Sequence, residues 1–214
     1  MSRRAAVVAT VLGLTASGVS PAASIEARVV DPAGKPVADV AVYATPATGG
    51  VEARPGRSAA IEQVDREFLP YVSVIQTGTT VNFPNRDPIM HHVYSFSPAK
   101  SFEIKLYTGK SPETILFDKP GVVTLGCNIH DWMIAYILVV STPHFARTDA
   151  SGVARLRDLP AGSYEVRAWH PQQREAAAPQ TEALEAAAST RMQFKLDPIP
   201  RKAKYKPPLD RLKY

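Results

Sequence analysis

The chain has 214 residues, enough for one large or two small domains that each bury a core, and it carries a formal net charge of +5. Arg3, Arg4 and the basic segment 201–214 account for more than this excess, so the remaining residues are slightly acidic overall. A basic body suited to binding nucleic acid is therefore excluded.

The N-terminus has the pattern of a secretory signal peptide. Arg3 and Arg4 precede an apolar run over residues 5–16, and the small residues Ala22 and Ala23 follow a break at Pro21. The run is too short to span a bilayer, and no later segment is long and apolar enough to do so. We predict a signal peptide over residues 1–23, periplasmic localisation and no membrane span, with twin-arginine export as a less favoured variant.

The rest of the sequence has the periodicity of strands rather than helices. Short runs of β-branched and aromatic residues alternate with Gly, Pro, Asn and Asp, and the chain has 19 prolines. This pattern predicts an all-β protein built from sandwiches. Residues 175–188 fit either a short helix after Pro179 or a loop. The predicted strands are 25–31, 40–44, 71–75, 79–83, 91–96, 102–107, 122–125, 133–141, 153–156, 164–169 and 190–196.

Two distant segments resemble parts of one small domain. Residues 31–42 predict a strand, a tight turn at Gly34 and a second strand, and residues 148–169 predict further hairpins. They are similar to a carboxypeptidase-regulatory-like (transthyretin-like) sandwich, in which such segments follow one another directly. We therefore predict that residues 58–142 form a second domain inserted into a loop of the first, since exposed loops tolerate insertions.

This organisation divides the mature chain into four parts. The regulatory-like sandwich comprises residues 24–57 and 143–197, the inserted domain comprises residues 58–142, and a basic tail covers residues 198–214. The alternative is an N-terminal β-arm followed by two sequential domains. In either arrangement His144 and His170 lie outside residues 58–142. We expect both histidines to be exposed to solvent.

Cys127 is the only cysteine, so it cannot form an internal disulfide in an oxidising compartment. It is then buried and inert, exposed and liable to oxidation, or bound to a metal. His130 and Met133 follow it at intervals of three residues, a spacing that can converge on one point from a tight loop but not from a strand. A thiolate, imidazoles and a thioether suit both Cu(I) and Cu(II), and His91 upstream offers a second imidazole.

Residues 60–141 resemble a cupredoxin, with the amicyanin and plastocyanin branch as the best match. The two residues between His130 and Met133 match the short ligand loop of amicyanin. Three features depart from the family: His92 replaces an Asn that ties the ligand loops together, Val123 and Leu125 replace aromatic residues, and Asn128-Ile129 lacks the usual Pro. The residues that carry the resemblance are Val81-Asn-Phe83-Pro-Asn85, His91-His92-Val93, Phe102, Gly121 and Cys127-x-x-His130-x-x-Met133.

The resemblance implies a Greek-key sandwich with one type 1 copper ion per chain and a role in one-electron transfer. Its ligands would be His91, Cys127 and His130, with Met133 as the axial thioether. It also implies a redox partner, such as a dehydrogenase or a cytochrome, that docks transiently near His130. For Met133 the alternative is core packing without metal contact, and for His91 the alternative ligand is His92.

Other functions fit the sequence less well. A copper carrier or storage protein would use the same ligands, but the Met-rich or His-rich clusters expected of it are absent, and only four methionines occur. A metal-independent interaction module is the third possibility. Multicopper oxidases need His-x-His pairs and a His-Cys-His segment, and a binuclear copper site needs a second cysteine. Neither pattern occurs, so we predict that the protein is not an enzyme.

Overall fold

The computed structural model describes residues 22–49 and 56–199. Within these ranges the chain consists of strands and connecting loops without any helix, which confirms the predicted all-β class. None of the described residues forms a helix with the length and apolarity needed to cross a membrane. The predicted signal peptide, except for its last two residues, and the basic tail, except for residues 198 and 199, lie outside the described ranges.

The strands agree with all eleven runs predicted from periodicity and add six shorter ones. They are β1 (Ala23–Val30), β2 (Ala41–Pro46), β3 (Ser58–Ala60), β4 (Glu62–Val64), β5 (Glu67–Leu69), β6 (Val72–Gln76), β7 (Thr79–Asn82), β8 (His91–Ser97), β9 (Lys100–Tyr107), β10 (Ile115–Phe117), β11 (Gly121–Gly126), β12 (Ile134–Val140), β13 (Phe145–Arg147), β14 (Val153–Leu159), β15 (Gly162–Trp169), β16 (Gln180–Leu184) and β17 (Ser189–Lys195).

Residues 58–140 form a unit that we call the central sandwich. One sheet has the strand order β6-β12-β11-β8-β9, and the other has the order β10-β7-β3. Alternate residues of both sheets meet in one apolar core, as expected for strands with one buried face. The short hairpin β4-β5 adds Phe68 to this core. Cys127 and Met133 belong to the same core.

The strands on either side of this unit in sequence form what we call the flanking sandwich. β1 pairs with β14 on one side and with β17 on the other, and β2 lies between β13 and β15. The two sheets enclose a second apolar core that includes Ile25, Val42, Leu156, Val166 and Phe194. The first two strands of the described chain therefore find their partners after Ser141, beyond the central sandwich.

A third, smaller apolar cluster joins the two sandwiches. Leu138 and Val140 of β12 pack with Ala41 of β2, and Trp169 lies against the same group. Nearby, the His170 ring lies 6.5 Å from the ring of Tyr71. His170 is buried there, so the expectation that it is solvent-exposed was wrong, and burial lowers the pKa of this histidine.

His144 is half-buried against Tyr164, with their ring centroids 5.8 Å apart, so it too is less exposed than we expected. Residues 180–184, for which the sequence left a helix or a loop open, form strand β16 instead. This strand pairs with β15 from Gly162 to Val166 and buries Leu184 in the flanking core.

The pairing of β1 and β2 leads to a first prediction. A shortened chain that begins at Ser58 should lose amide hydrogen-exchange protection in β14, β15 and β17, because β1 and β2 supply their hydrogen-bonding neighbours. The strands of the central sandwich should keep their protection. A control chain that lacks residues 200–214 should retain both patterns, since it keeps every described strand. Unchanged protection of β14–β17 in the Ser58 variant would favour two sequential domains.

Candidate metal centre

Three residues with metal-binding side chains converge where β8 begins and β11 ends. β8 and β11 are antiparallel neighbours with Tyr94 opposite Gly126, so His91 at the start of β8 lies near Cys127, the residue after β11. His130 lies in the loop that joins β11 to β12. The ligand atoms of His91, Cys127 and His130 all lie within 4.8 Å of one another. The structure therefore brings together three of the four predicted ligands.

The loop over residues 127–133 is tightly folded. The Met133 N–H donates to the His130 carbonyl at 2.8 Å, and the Ile134 N–H donates to the Trp132 carbonyl at 3.0 Å. The Cys127 Sγ lies 3.8 Å from the His130 Nδ1. Met133, the fourth predicted ligand, is buried in the same apolar core as Cys127. A compact turn between two paired strands thus presents Cys127 and His130 together, as their spacing predicted.

His91 is fully buried, and its two ring nitrogens have different surroundings. The Nε2 atom lies 2.7 Å from Oδ2 of Asp87, whereas the Nδ1 atom is buried without a hydrogen-bond partner among the described residues. Burial lowers the pKa of His91, but its interactions with Cys127 and Asp87 outweigh burial and raise the pKa above its usual value. An unpartnered buried nitrogen costs free energy. A metal ion bound between this nitrogen and the Cys127 sulfur would remove that cost, so the residues fit such an ion.

Cys127 is buried, which by itself raises the pKa of a thiol. The neighbouring His91 ring and hydrogen bonds from the backbone N–H groups of His92 and Ile129 act in the opposite direction, and the pKa of Cys127 is lowered overall. The thiolate is the form of cysteine that binds metals. The pKa of His130 is also lowered, first by burial and then by the nearby positive charges of His91 and Arg66. A neutral imidazole is the form that binds a metal.

His92 does not join this group, although it follows His91 directly. Neighbouring residues on a strand point to opposite faces of the sheet. The His92 Nε2 lies 2.9 Å from Oε1 of Glu103, and its ring centroid is 5.4 Å from that of Tyr94. The alternative in which His92 replaces His91 is therefore not favoured by the geometry.

Sequence reasoning missed Asp87 and the structural role of Asn85. The Asn85 side chain donates to the carbonyls of Ile89 at 2.8 Å and Tyr107 at 2.9 Å, and its Oδ1 accepts the Asp87 N–H at 2.9 Å. These bonds fix the loop that leads into His91. The available signal was an acidic residue four positions before a predicted ligand histidine, in Asn85-Arg-Asp87-Pro.

Apolar side chains surround the exposed edge of the group. Met90 and Ile129 are 52% and 48% exposed, respectively. The Trp132 ring lies 5.1 Å from the half-buried His130 ring. Pro84 is half-buried in the loop before His91. Of the three clustered side chains, the imidazole of His130 thus comes nearest to solvent, because His91 and Cys127 are buried.

Neither a protein-family model nor a curated protein matches the chain. Among solved structures, it is similar to a copper-containing nitrite reductase (NirK) from Thermus scotoductus SA-01, with 26% identity, a TM-score of 0.38 and coverage of 45% of this chain and 25% of the reductase. A purple cupredoxin from Nitrosopumilus maritimus has 22% identity and a TM-score of 0.34, with coverage of 38% of this chain and 99% of that protein.

A reduced amicyanin mutant has 14% identity and a TM-score of 0.37, with coverage of 46% of this chain and 99% of amicyanin. Each of these likenesses extends over less than half of the chain, and the first spans only a quarter of the reductase. Fold and site together define an all-β protein with a His-Cys-His group that can hold a metal ion.

The environment of Cys127 leads to a second prediction. In the metal-free protein, the thiolate absorbance should appear with a midpoint below the value of about 8.5 typical of free cysteine. In His91→Phe the midpoint should rise, because the favourable interaction of the thiolate with the His91 ring is lost while burial remains. His92→Phe is the matched control and should leave the midpoint unchanged, since it keeps the backbone N–H that bonds to Cys127. A wild-type midpoint at or above the free-cysteine value would contradict this account.

Proposed function

We propose that this chain is a mononuclear copper protein of the cupredoxin class. The observation that carries the proposal is the convergence of one buried thiol and two imidazoles within 4.8 Å. One thiolate and two imidazoles with a weak axial thioether are the ligands of a type 1 copper site. His91, Cys127 and His130 would hold the copper, and Met133 would supply the thioether from the core below. The proposed stoichiometry is one copper ion per chain.

We further propose that the protein is a periplasmic electron carrier. Copper would supply a one-electron change between Cu(I) and Cu(II), and this ligand set suits both states. The chain contributes a rigid site, because strand pairing, the tight 127–133 loop and the bonds of Asn85 hold the donor groups in place. A site that changes little between the two states exchanges electrons without losing its metal, whereas a copper carrier has to release it.

Electron transfer rather than catalysis is favoured by the content of the site. Among the described residues, the structure has one cluster of this kind, and His144 and His170 lie in or next to the flanking sandwich. A transient redox partner, such as a dehydrogenase or a cytochrome, would dock beside His130 on the apolar rim formed by Met90 and Ile129. Copper storage and metal-independent binding are the alternatives that the experiments below distinguish.

The proposed domain organisation keeps the boundaries predicted from the sequence. The pairing of β1 and β2 with strands after Ser141 supports an insertion of residues 58–142 between residues 24–57 and 143–197. A transthyretin-like relationship of the flanking sandwich remains part of this proposal. So do the signal peptide over residues 1–23 and the basic tail over residues 198–214.

The metal assignment gives a third prediction. The purified protein should take up one copper ion and show the intense visible absorption and small copper hyperfine splitting of a thiolate-bound site. Cys127→Ser should abolish the colour, because an alcohol is a far poorer ligand than a thiolate at neutral pH. His92→Gln is a suitable control and should keep the spectrum, since His92 faces away from the group. A colourless copper complex of the wild-type protein would rule out the type 1 site.

The apolar rim gives a fourth prediction. Ile129→Lys should slow electron self-exchange between reduced and oxidised copies several-fold at low salt, because it places like charges where two copies meet. The copper spectrum should change little. Phe96→Lys is the matched control, because Phe96 is 80% exposed but lies at the other end of β8 from His91. Nuclear magnetic resonance line broadening measures the exchange. Transfer of copper to a competing apo-protein that is faster than transfer of an electron to a redox partner would instead establish a copper carrier.

A further inference from the structure

The Asp87 carboxylate is an ionisable group that is almost completely buried beside the metal-binding cluster. Its side chain is 9% exposed. It accepts three hydrogen bonds, from the Asp65 N–H at 2.7 Å, from the Arg66 N–H at 2.8 Å and from Nε2 of His91 at 2.7 Å. Burial raises the pKa of Asp87, but the three hydrogen bonds outweigh burial and hold the pKa below its usual value. The backbone N–H groups of Asp65 and Arg66 and the His91 ring thus all lie at hydrogen-bond distance from the carboxylate oxygens, an environment that suits the ionised form.

The two backbone donors come from a turn whose shape suits an anion. Asp65 and Arg66 connect β4 to β5, and both have left-handed backbone conformations, with φ of 52° and 59°. Successive N–H groups in such a turn form a concave site for a negative charge. On the other side, the Asp87 N–H is held by Asn85, which itself is anchored to Ile89 and Tyr107. Asp87 is thus held by contacts on two sides that do not involve His91.

This arrangement decides which nitrogen of His91 is available to a metal. A carboxylate that accepts a hydrogen bond from Nε2 places the ring proton on that atom. The lone pair then remains on Nδ1, which is the buried nitrogen without a hydrogen-bond partner among the described residues. Carboxylates bound to the outer nitrogen of a ligand histidine also increase its basicity. A fixed negative charge close to the site stabilises the more highly charged metal ion.

We propose that Asp87 is a positioning residue of the metal centre. It fixes His91 in the Nε2–H tautomer and in its orientation before metal binds, and its charge lowers the reduction potential of bound copper. The effect on the tautomer and orientation of His91 does not require a metal. The effect on the reduction potential rests on the proposed function.

The chain contains a matched control for this proposal. His92 and Glu103 form the same kind of pair, with His92 Nε2 at 2.9 Å from Oε1 of Glu103. The Glu103 side chain is 56% exposed, and His92 does not belong to the cluster. Glu103→Gln therefore removes a carboxylate from a neighbouring histidine without touching a predicted ligand. A nonspecific effect of losing one negative charge would show in this variant as well.

The first experiment needs no metal. Nitrogen-15 nuclear magnetic resonance of the metal-free wild-type protein should show His91 as the Nε2–H tautomer, and Asp87→Asn should make the tautomers mix. Glu103→Gln should leave the His91 signals unchanged. An Nδ1–H tautomer of His91 in the wild-type protein would overturn the proposal, and this result does not depend on the folding of any variant.

The second experiment measures copper affinity and reduction potential. Asp87→Asn should lower the affinity for Cu(II) about 10- to 100-fold, the range seen when partners of ligand residues are removed. If the affinity for Cu(I) falls by a factor about ten times smaller than the affinity for Cu(II) does, the reduction potential rises by about 59 mV. Asp87→Ser serves if Asp87→Asn does not fold, because it also removes the charge.

The outcomes separate this inference from the proposed function. An unchanged potential in both Asp87 variants, or an equal change in Glu103→Gln, would overturn the charge effect. A wild-type protein that binds no copper would overturn the proposed function together with the charge effect. In that case an Nε2–H tautomer of His91 would still support the positioning role, since it is measured without metal.

Discussion

The site depends on one constraint, the register between β8, β11 and β12. Gly126 lies opposite Tyr94 on one side and Ile134 on the other, so the residue after it enters the loop between two paired strands. A Cβ atom at Gly126 would lie 2.7 Å from the Tyr94 ring, which means that this ring packs directly on the backbone there. A slip of one residue would turn Cys127 and His91 to the other face of their strands. The register of these strands therefore determines whether His91 and Cys127 lie next to each other.

Charge compensation is the second condition for a stable site. Cys127 and Asp87 both have lowered pKa values and both interact with His91, whose own pKa is raised by them. Burial opposes each of these shifts, because it disfavours every charged form. In the metal-free protein the buried His91 ring thus offsets the charge of Asp87 through its Nε2–H and interacts with Cys127 on its other side. A bound cation would take over part of this role at Cys127, and His91 would then face the metal with one nitrogen and Asp87 with the other.

Periodicity predicted eleven strands of four to eight residues, because most of them alternate between more buried and less buried positions. The short strands β3, β4, β5, β10 and β13 have only three residues each, so their existence depends on partners distant in sequence. The same limit applies to the site. The grouping of Cys127 with His130 could be predicted from their spacing, whereas the link between Asp87 and the Asp65-Arg66 turn needs three-dimensional contacts. His170 is buried for the same reason, since it packs on Tyr71 of the other sandwich.

The position of the junction between the sandwiches leaves the metal-binding end accessible. The junction uses Leu138 and Val140 near the end of β12, whereas the ligand loop leads into the start of that strand at Ile134. At about 3.3 Å per residue, these two ends of β12 are roughly 20 Å apart. Among the described residues, the flanking sandwich therefore adds no side chain to the His91, Cys127 and His130 cluster and leaves Ile129 and Met90 exposed. It can hold the central sandwich in place while the face around His130 remains free for a partner.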